Sequence, residues 1–297
     1  MTPPAGRGGR QRIPRPAQIL PGVPPWWAAP GVTPPRLSVA DVRAAFSTPA
    51  EGGADPDGGV RRDEGVGRDE GVGPDEGVGR DGGVGPGGGV GPGGGPGPGG
   101  PVRLTGRELP APDGRPAAVL CAIWDENGAA RVLLTRRSAR LRSHTGEIAF
   151  PGGRLEPGEG ARRAALREAE EEVGLDPATV EVLGRLPVLS TVSSAATITP
   201  FVGVLPGRPQ LIANPHEVEL VLTPTLDELL VPGCYHGERW DIGDGDLRDI
   251  HFFEVPGDTV WGATARMLRD LFDLLLPATP RLVAGRTSPA GPVTWND

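Results

Sequence analysis

The chain has 297 residues and a formal net charge of −8 at pH 7. This acidic balance argues against a general binder of nucleic acid or of membrane surfaces, because both tasks need a basic field. The 48 glycines and 36 prolines are far above ordinary usage, so only part of the chain can bury a core.

The first 50 residues form an N-terminal arm of mixed composition. Ser38, with Asp41 three residues later, is typical of a helix start. Trp26 and Trp27 either anchor this arm on the main domain or belong to a loosely held segment. In the second case, removal of residues 1–101 should leave the activity largely intact. The predicted helix places three apolar residues on one face, namely Val39, Val42 and Phe46.

No apolar segment of the kind found in signal peptides is evident near the start, and the longest apolar runs are far too short to span a bilayer. The two cysteines, Cys121 and Cys234, cannot make a disulfide framework, and a reducing compartment suits them. These observations predict a cytoplasmic protein.

Residues 51–105 form a low-complexity segment whose hexapeptide repeat runs from 62 to 97. A hexapeptide period can indicate a parallel β-helix, which needs bulky apolar residues in each coil. Each repeat here offers at most one valine. Ordering the segment would cost about 1–2 kcal/mol of backbone entropy per residue, which one valine per repeat cannot offset. The sequence therefore predicts a disordered Gly/Pro-rich linker.

Residues 106–279 have the composition of a folded domain, and residues 280–297 are predicted to be a flexible tail. Apolar runs bounded by turn signals predict strands, and a proline-free segment rich in Ala, Arg and Glu predicts a helix ended by Gly174. The elements interleave without regular βαβ spacing, which favours a mixed α/β sandwich. The predicted strands span 117–124, 132–135, 147–150, 180–189, 197–205 and 250–255, and the predicted helices span 160–173, 224–230 and 264–276.

The helix predicted at 160–173 carries Glu168, Glu171 and Glu172 within an arc of about 100°. Like charges at this spacing repel each other. A divalent cation would reverse the sign of that interaction, since hard cations such as Mg²⁺ prefer carboxylate oxygens. A solvated acidic face is the ordinary alternative for such a run.

The wider spacing decides between these two interpretations. Gly153 is followed after five residues by Glu159, and after seven more by the sequence REAEEEVGL, which begins at Arg167. This pattern resembles the Nudix box at every fixed position. The resemblance implies a Nudix-type α/β/α sandwich with a mixed sheet, and hydrolysis of a diphosphate linkage with Mg²⁺ or Mn²⁺.

The same resemblance assigns roles to residues of the motif. Arg167 and Glu159 hold the motif together as an internal pair. A glutamate takes the proton of the attacking water; Glu171 is the first candidate for this base and Glu217 is the second. Glu217 is equally well explained as a surface carboxylate of a loop. The implied metal ligands are the Gly153 carbonyl oxygen and the carboxylates of Glu168, Glu171 and Glu172.

A second motif lies immediately upstream: LLTRRS ending at Ser138, then Arg142, Gly146 and FPGG from Phe150. It resembles the signature of the coenzyme A diphosphatase branch of the Nudix superfamily. Arginine forks suit phosphate oxygens, although arginines on an edge strand can also serve only solubility. Coenzyme A carries a 3′-phosphate beyond its diphosphate, and Arg137 and Arg142 are the residues expected to contact that phosphate. The implied substrate-binding residues are Arg137, Ser138, Arg142, Gly146 and Phe150.

We therefore predict an enzyme that cleaves coenzyme A or acyl-CoA to 3′,5′-ADP and 4′-phosphopantetheine or its acyl form. The alternative within the family is another nucleoside diphosphate derivative, such as ADP-ribose, NADH or an oxidised nucleotide. A non-catalytic nucleotide-binding regulator is the alternative from another class, and the intact glutamates argue against it. The expected partner is a small molecule rather than nucleic acid or membrane, and a homodimer is also considered.

Overall fold

The computed structural model describes residues 9, 11, 13–47, 115–141, 143–191, 196–241 and 247–276. The predicted linker at 51–105 and the predicted tail at 280–297 lie outside the described residues, and so does Arg142. The domain boundaries proposed from the sequence therefore stay predictions.

Short strands and a few helices alternate along the described part of the chain. The arm also contains a 3₁₀ turn at Trp26–Ala28, and another lies at Pro177–Thr179. In order, the elements are β1 (Ile19–Pro21), α1 (Val39–Ser47), β2 (Arg115–Glu126), β3 (Ala129–Val132), β4 (Leu134–Arg137), β5 (Ile148–Ala149), β6 (Gly152–Arg154), α2 (Ala161–Val173), β7 (Glu181–Arg185), β8 (Leu189–Ser190), β9 (Ala196–Val204), β10 (Val218–Leu222), α3 (Leu226–Leu229), β11 (Tyr235–Asp241), β12 (Leu247–Val255), β13 (Asp258–Trp261) and α4 (Gly262–Leu275).

A mixed sheet built around β2 lies at the centre of the fold. β9 runs parallel to β2, with Leu120 opposite Phe201. β3 and β6 pair antiparallel with different parts of β2, and β7 and β8 pair antiparallel with β9. Residues 118–124 of β2 are buried whichever face they point to, so both faces of the strand are covered. It therefore reads as a nearly continuous apolar run, as the sequence does at 117–124.

Successive residues of β2 point to opposite faces of the sheet, and each face has its own core. On one face, Leu120 shares a core with Ala169 of α2. On the other face, Cys121 shares a core with Val42 of α1 and Phe272 of α4. Helices thus cover both faces of the sheet, which confirms the predicted α/β/α sandwich with a mixed sheet.

Two smaller antiparallel sheets complete the described structure. One has the order β10–β4–β5, and the other has the order β1–β11–β12–β13. β1 comes from the arm, where Leu20 pairs with Arg239 of β11. β5 lies beside β13, so the two small sheets are neighbours. The N-terminal arm is therefore a structural part of the C-terminal sheet.

The arm is anchored by a buried tryptophan. Trp27 is 1% exposed. Its ring centroid lies 5.1 Å from that of Tyr235 and 5.3 Å from that of Phe272. Its indole N–H donates to Asp273 Oδ1 at 3.2 Å. Val42 in α1 is fully buried as well. Of the two interpretations of the arm, the anchored one holds for its described residues, and the loosely held one is wrong.

Several predicted elements differ in detail from the observed ones. The strand predicted at 132–135 is wrong as a single strand, because Val132 ends β3 and Leu134 begins β4 in another sheet. The strand predicted at 180–189 is divided between β7 and β8. The helix start predicted with Ser38 as the capping residue is confirmed, because α1 begins at Val39 and the Ser38 N–H donates to Asp41 Oδ2 at 2.8 Å.

Both cysteines are buried and free of disulfide bonds. Burial raises the pKa of the Cys121 thiol far above its ordinary value, so this residue acts as a small core side chain. Among the helices that the structure describes, none is long and apolar enough to cross a membrane.

Candidate active site

α2 carries the motif glutamates next to its apolar stripe, and Glu172 is buried along with that stripe. Gly174 ends the helix with a φ of 67°, a left-handed conformation that glycine adopts without steric cost. The residues that bury the helix against the central sheet are Ala164, Ala165, Ala169 and Val173.

Three carboxylates converge beside α2. Glu168 and Glu172 come from the helix, Glu217 comes from the loop before β10, and one oxygen of each lies within 4.8 Å of the others. The loop is held because the Asn214 N–H donates to the Glu172 carbonyl oxygen at 2.8 Å, which satisfies a carbonyl at the helix end. The Ser138 N–H donates to the Glu217 carbonyl oxygen at 2.8 Å. The second candidate base therefore belongs to a carboxylate cluster.

Glycines in β6 let the backbone approach this cluster. A β-carbon at Gly153 would overlap the carboxylate of Glu168, and a β-carbon at Gly152 would overlap the backbone of Ala118. Only glycine permits such an approach without movement of its neighbours. Gly153, predicted to offer its carbonyl oxygen to a metal, thus lies directly against the cluster.

Glu172 is the most buried member of the cluster, with 3% of its surface exposed. Burial raises the pKa of its carboxyl group to about 8, although Arg137 and the Gly152 N–H act in the opposite direction. Arg137 Nη1 lies 3.7 Å from Glu172 Oε1. Among the described residues, nothing donates to Glu172 Oε2. Burial also raises the pKa of Glu168.

The cluster fits a divalent cation. Its three ligand atoms are all carboxylate oxygens, which hard cations prefer. A buried acceptor without a donor costs free energy, and a cation would give Glu172 Oε2 a partner. It would also offset the repulsion among Glu168, Glu172 and Glu217.

Arg167 connects α2 to the segment before it. Its Nε donates to Glu159 Oε1 at 2.9 Å, and its Nη2 donates to the Arg154 carbonyl oxygen at 3.1 Å. The hydrogen bond from Arg167 lowers the pKa of Glu159. Arg167 Nη1 also lies 3.0 Å from Glu168 Oε1 and 2.9 Å from Glu171 Oε2. Glu171, with its side chain 51% exposed, is therefore paired with Arg167 and stays outside the cluster of three carboxylates.

The residues of the second motif do not all face the cluster. Arg137 does, but Arg136 lies 3.1 Å from Asp258 in β13. Phe150 is 1% exposed within the core, and Ser138 is 5% exposed. The substrate contacts expected of Phe150 and Ser138 stay predictions. Arg142 lies outside the described residues.

Gly146 lies in the loop between β4 and β5 with a φ of 71°. Its N–H donates to the Arg137 carbonyl oxygen, and its own carbonyl oxygen accepts from Gln11 Nε2 at 2.8 Å. Sequence reasoning did not single out Gln11, since no local pattern marks a side chain whose partner lies far along the chain. Glu217 could be proposed only as the weaker candidate for the same reason.

The metal-free protein should lose stability as the pH rises from about 4.5 to about 8. Between these values the folded protein retains a proton on Glu172 that the unfolded chain has released. The unfolding free energy therefore falls with increasing pH across this window. Urea unfolding in EDTA at several pH values measures the slope, and Glu172→Gln should reduce it. An identical slope in wild type and Glu172→Gln would assign the pH dependence to other groups.

Comparison with known proteins agrees with this geometry. The sequence model of the NUDIX domain matches residues 114–240. The Nudix hydrolase NudL of Photorhabdus laumondii is 42% identical over 142 residues, which cover 47% of this chain and 74% of that relative. NudL of Escherichia coli K12 is 40% identical over 142 residues, covering 47% and 72%. Nudix hydrolase 22 of Arabidopsis thaliana, described as chloroplastic, is 38% identical over 163 residues, covering 52% and 53%.

Among solved structures, RenU, a Nudix hydrolase from M. smegmatis, is similar to 39% of this chain over 73% of its own length. Its sequence identity is 24% and the TM-score is 0.34. The identities to NudL over most of that protein's length show the family. The chain belongs to the Nudix hydrolases, and it is a hydrolase of diphosphate compounds.

Proposed function

We propose that this Nudix hydrolase cleaves coenzyme A or acyl-CoA to 3′,5′-ADP and 4′-phosphopantetheine or its acyl form, with Mg²⁺ or Mn²⁺. The observation that carries the proposal is the second motif, which is joined in register to the Nudix box. Its arginine at position 137 reaches to 3.7 Å from Glu172 in the carboxylate cluster. A guanidinium group at that place is suited to the oxygens of a bound diphosphate.

The cluster would hold the cation through Glu168, Glu172 and the neighbouring Gly153 carbonyl oxygen. When bound, a divalent cation neutralises a diphosphate and lowers the pKa of water. The oxygen of a water molecule forms a bond to one phosphorus, and the bond from that phosphorus to the bridging oxygen breaks. The leaving phosphate keeps the electron pair, and a glutamate accepts the proton of the water. Glu217 lies in the cluster whereas Glu171 is paired with Arg167, which favours Glu217 as that base.

Another nucleoside diphosphate derivative, such as ADP-ribose, NADH or an oxidised nucleotide, is equally compatible with membership of the family. A non-catalytic nucleotide-binding regulator is disfavoured, because binding alone does not require several carboxylates to converge at one place. The finer substrate assignment therefore rests on the second motif. A homodimer and a cytoplasmic location stay predictions, and light scattering in solution tests the first of them.

Coenzyme A should be preferred over dephospho-coenzyme A, which lacks only the 3′-phosphate. One charge-assisted hydrogen bond to that group contributes about 1.5–3 kcal/mol, or about ten- to a hundred-fold in kcat/KM. From the sequence, both Arg137 and Arg142 are expected to contact it. The position of Arg137 beside Glu172 instead favours the shared diphosphate. Arg142→Ala should therefore reduce the preference, while Arg137→Ala should lower kcat/KM for both substrates alike.

The measurement compares both substrates, and ADP-ribose, on wild type and on each variant. Arg140→Ala is the matched control, because Arg140 is exposed and occupies no fixed position of the motif. Good turnover of ADP-ribose without turnover of coenzyme A would show that the substrate is another nucleoside diphosphate derivative. A preference that is reduced in both Arg137→Ala and Arg142→Ala would restore the expectation from the sequence.

A further inference from the structure

We propose that the N-terminal arm is part of the active site, and that Gln11 is a positioning residue for the substrate loop, residues 138–147. Neither Gln11 nor its partner Thr259 lies within the region matched by the NUDIX domain, 114–240. The proposal concerns how this chain holds the loop. It rests on the proposed function only for the choice of substrate in the test.

The side-chain amide of Gln11 joins the substrate loop to β13. Its Nε2 donates to the Gly146 carbonyl oxygen at 2.8 Å. Its Oε1 accepts from the Thr259 backbone N–H at 3.2 Å. Both ends of one amide are therefore engaged, on two segments that are far apart in the sequence. A side chain of this length and with both a donor and an acceptor is needed to make the two bonds together.

The arm is held close to β13 and β11 on either side of Gln11. The Gly9 N–H donates to Thr259 Oγ1 at 2.9 Å. A β-carbon at Gly9 would lie 2.9 Å from Asp258 Cα, so only glycine fits against this strand without a shift. Arg15 Nη2 lies 3.1 Å from Glu238 Oε1 in β11. These contacts fix the backbone from which Gln11 extends.

The substrate loop leads directly to the carboxylate cluster. The Gly146 N–H donates to the Arg137 carbonyl oxygen at 2.9 Å, and the Arg137 N–H donates to the Glu147 carbonyl oxygen at 2.9 Å. The side chain of Arg137 lies beside Glu172. A path of hydrogen bonds thus runs from the arm through Gly146 to the residue that faces the cluster.

β13 restrains this part of the molecule at two points. Asp258 binds Arg136 of β4 at 3.1 Å, and the next residue, Thr259, holds Gln11. Without Gln11, the Gly146 carbonyl oxygen loses its partner from the arm, and the loop keeps its bonds to β4 and the bond from the Ser138 N–H to the Glu217 carbonyl oxygen. The Gly146 N–H is bonded to Arg137, whose side chain lies beside Glu172, so loss of order in the loop should weaken phosphate binding more than it slows the chemical step.

The test compares Gln11→Ala and Gln11→Glu with Gln18→Ala in the full-length chain. Gln11→Glu keeps an acceptor for Thr259 but places a carboxylate against the Gly146 carbonyl oxygen. Gln18 is in the same arm and exposed, so it is the matched control. Both Gln11 variants should raise the KM for coenzyme A about ten-fold, as expected for loss of the hydrogen bond to the Gly146 carbonyl oxygen, with kcat within about two-fold. Gln18→Ala should match wild type.

Hydrogen–deuterium exchange without substrate gives a second, independent measurement. Exchange of the Gly146 amide should be about ten-fold faster in both Gln11 variants and unchanged in Gln18→Ala. Unchanged exchange would overturn the proposal, and so would faster exchange with an unchanged KM. Equal losses in kcat and kcat/KM together with a lower melting temperature would show general structural support and would also overturn it. If the wild type cleaves ADP-ribose but not coenzyme A, the proposed function fails, while the exchange measurement and the KM for ADP-ribose still test Gln11.

Discussion

Replacing Glu172 with glutamine should lower turnover at least about 100-fold while the fold survives. The amide has the size of the carboxylate but cannot supply the negative charge that holds a cation at this buried position. The metal-free variant should be no less stable than wild type, because burial of Glu172 requires a bound proton at neutral pH whereas the amide is neutral without one. The measurements are kcat with Mg²⁺ or Mn²⁺ and the shift in melting temperature on adding the metal, which the variant should lose.

Glu170→Gln is the matched control, because Glu170 is exposed on another face of the same helix. Glu168→Gln should behave like Glu172→Gln, whereas Glu217→Gln, at the favoured base, should lower turnover but keep the shift in melting temperature on adding the metal. Glu171→Gln separates the resemblance from the geometry. The resemblance to the Nudix box predicts that Glu171→Gln loses at least as much turnover as Glu172→Gln. The position of Glu171 outside the cluster predicts a smaller loss of turnover. Turnover of Glu172→Gln within a few-fold of wild type would remove the cluster from the mechanism.

Trp27→Ala should lower the free energy of unfolding by about 3–5 kcal/mol, the usual cost of truncating a buried aromatic residue. The indole ring packs with Tyr235 and Phe272, and its N–H donates to Asp273. Domains of ordinary stability have about 5–15 kcal/mol in total. This single change should therefore consume a large part of the stability. Urea unfolding followed by circular dichroism gives the comparison with wild type.

Trp26→Ala is the control, since the neighbouring ring is 38% exposed and its N–H donates to the Leu276 carbonyl oxygen at 2.9 Å. Its expected cost is about 1 kcal/mol. Equal losses for the two variants would contradict the burial of Trp27 in the core. Removal of residues 1–101 would be tolerated only by a loosely held arm. It is now expected to prevent folding, because it also removes buried residues of α1.

The helix that bears the acidic residues could be predicted almost to the residue. Its composition favours helix throughout, and Gly160 and Gly174 lie directly outside the observed span of α2. Its side-chain pattern also predicted which face is buried. All of this information is local, since it depends on residues within a few turns of each other.

The elements that were missed depend on distant partners. β11 contains Gly237 and charged residues, and it lacks the apolar alternation of a half-buried strand. It pairs with β12 along its length, and on its other side it contacts the arm, where the Gly22 N–H donates to the Gly237 carbonyl oxygen at 2.9 Å. Glu217 joins Glu168 and Glu172 only because the loop that carries it packs against the end of α2, where the Asn214 N–H donates to the Glu172 carbonyl oxygen. Neither the contact of β11 with the arm nor the position of Glu217 beside α2 can be predicted from residues that are close in the sequence.

The division of the strand predicted at 132–135 has a similar cause. Val132 and Leu134 are both fully buried, so the apolar run gives no sign of a boundary. The Leu133 N–H still donates to the Ala122 carbonyl oxygen in the central sheet, whereas Leu134 pairs with Leu222 of β10. The chain changes sheets between adjacent residues, which depends on where β10 lies.

The anchoring of the arm has a consequence for synthesis on the ribosome. The partners of Trp27 are Tyr235, Phe253 and Phe272, all in the last third of the chain. The arm emerges first, and Trp27 has none of these aromatic partners until β11 has been translated and lacks Phe272 until α4 follows. Closing this core is therefore a late, long-range step of folding. For a flexible connection, doubling the length adds only about 0.6 kcal/mol to the cost of closure. Growth of the hexapeptide repeat between arm and domain should thus affect the rate of folding more than the stability of the folded enzyme.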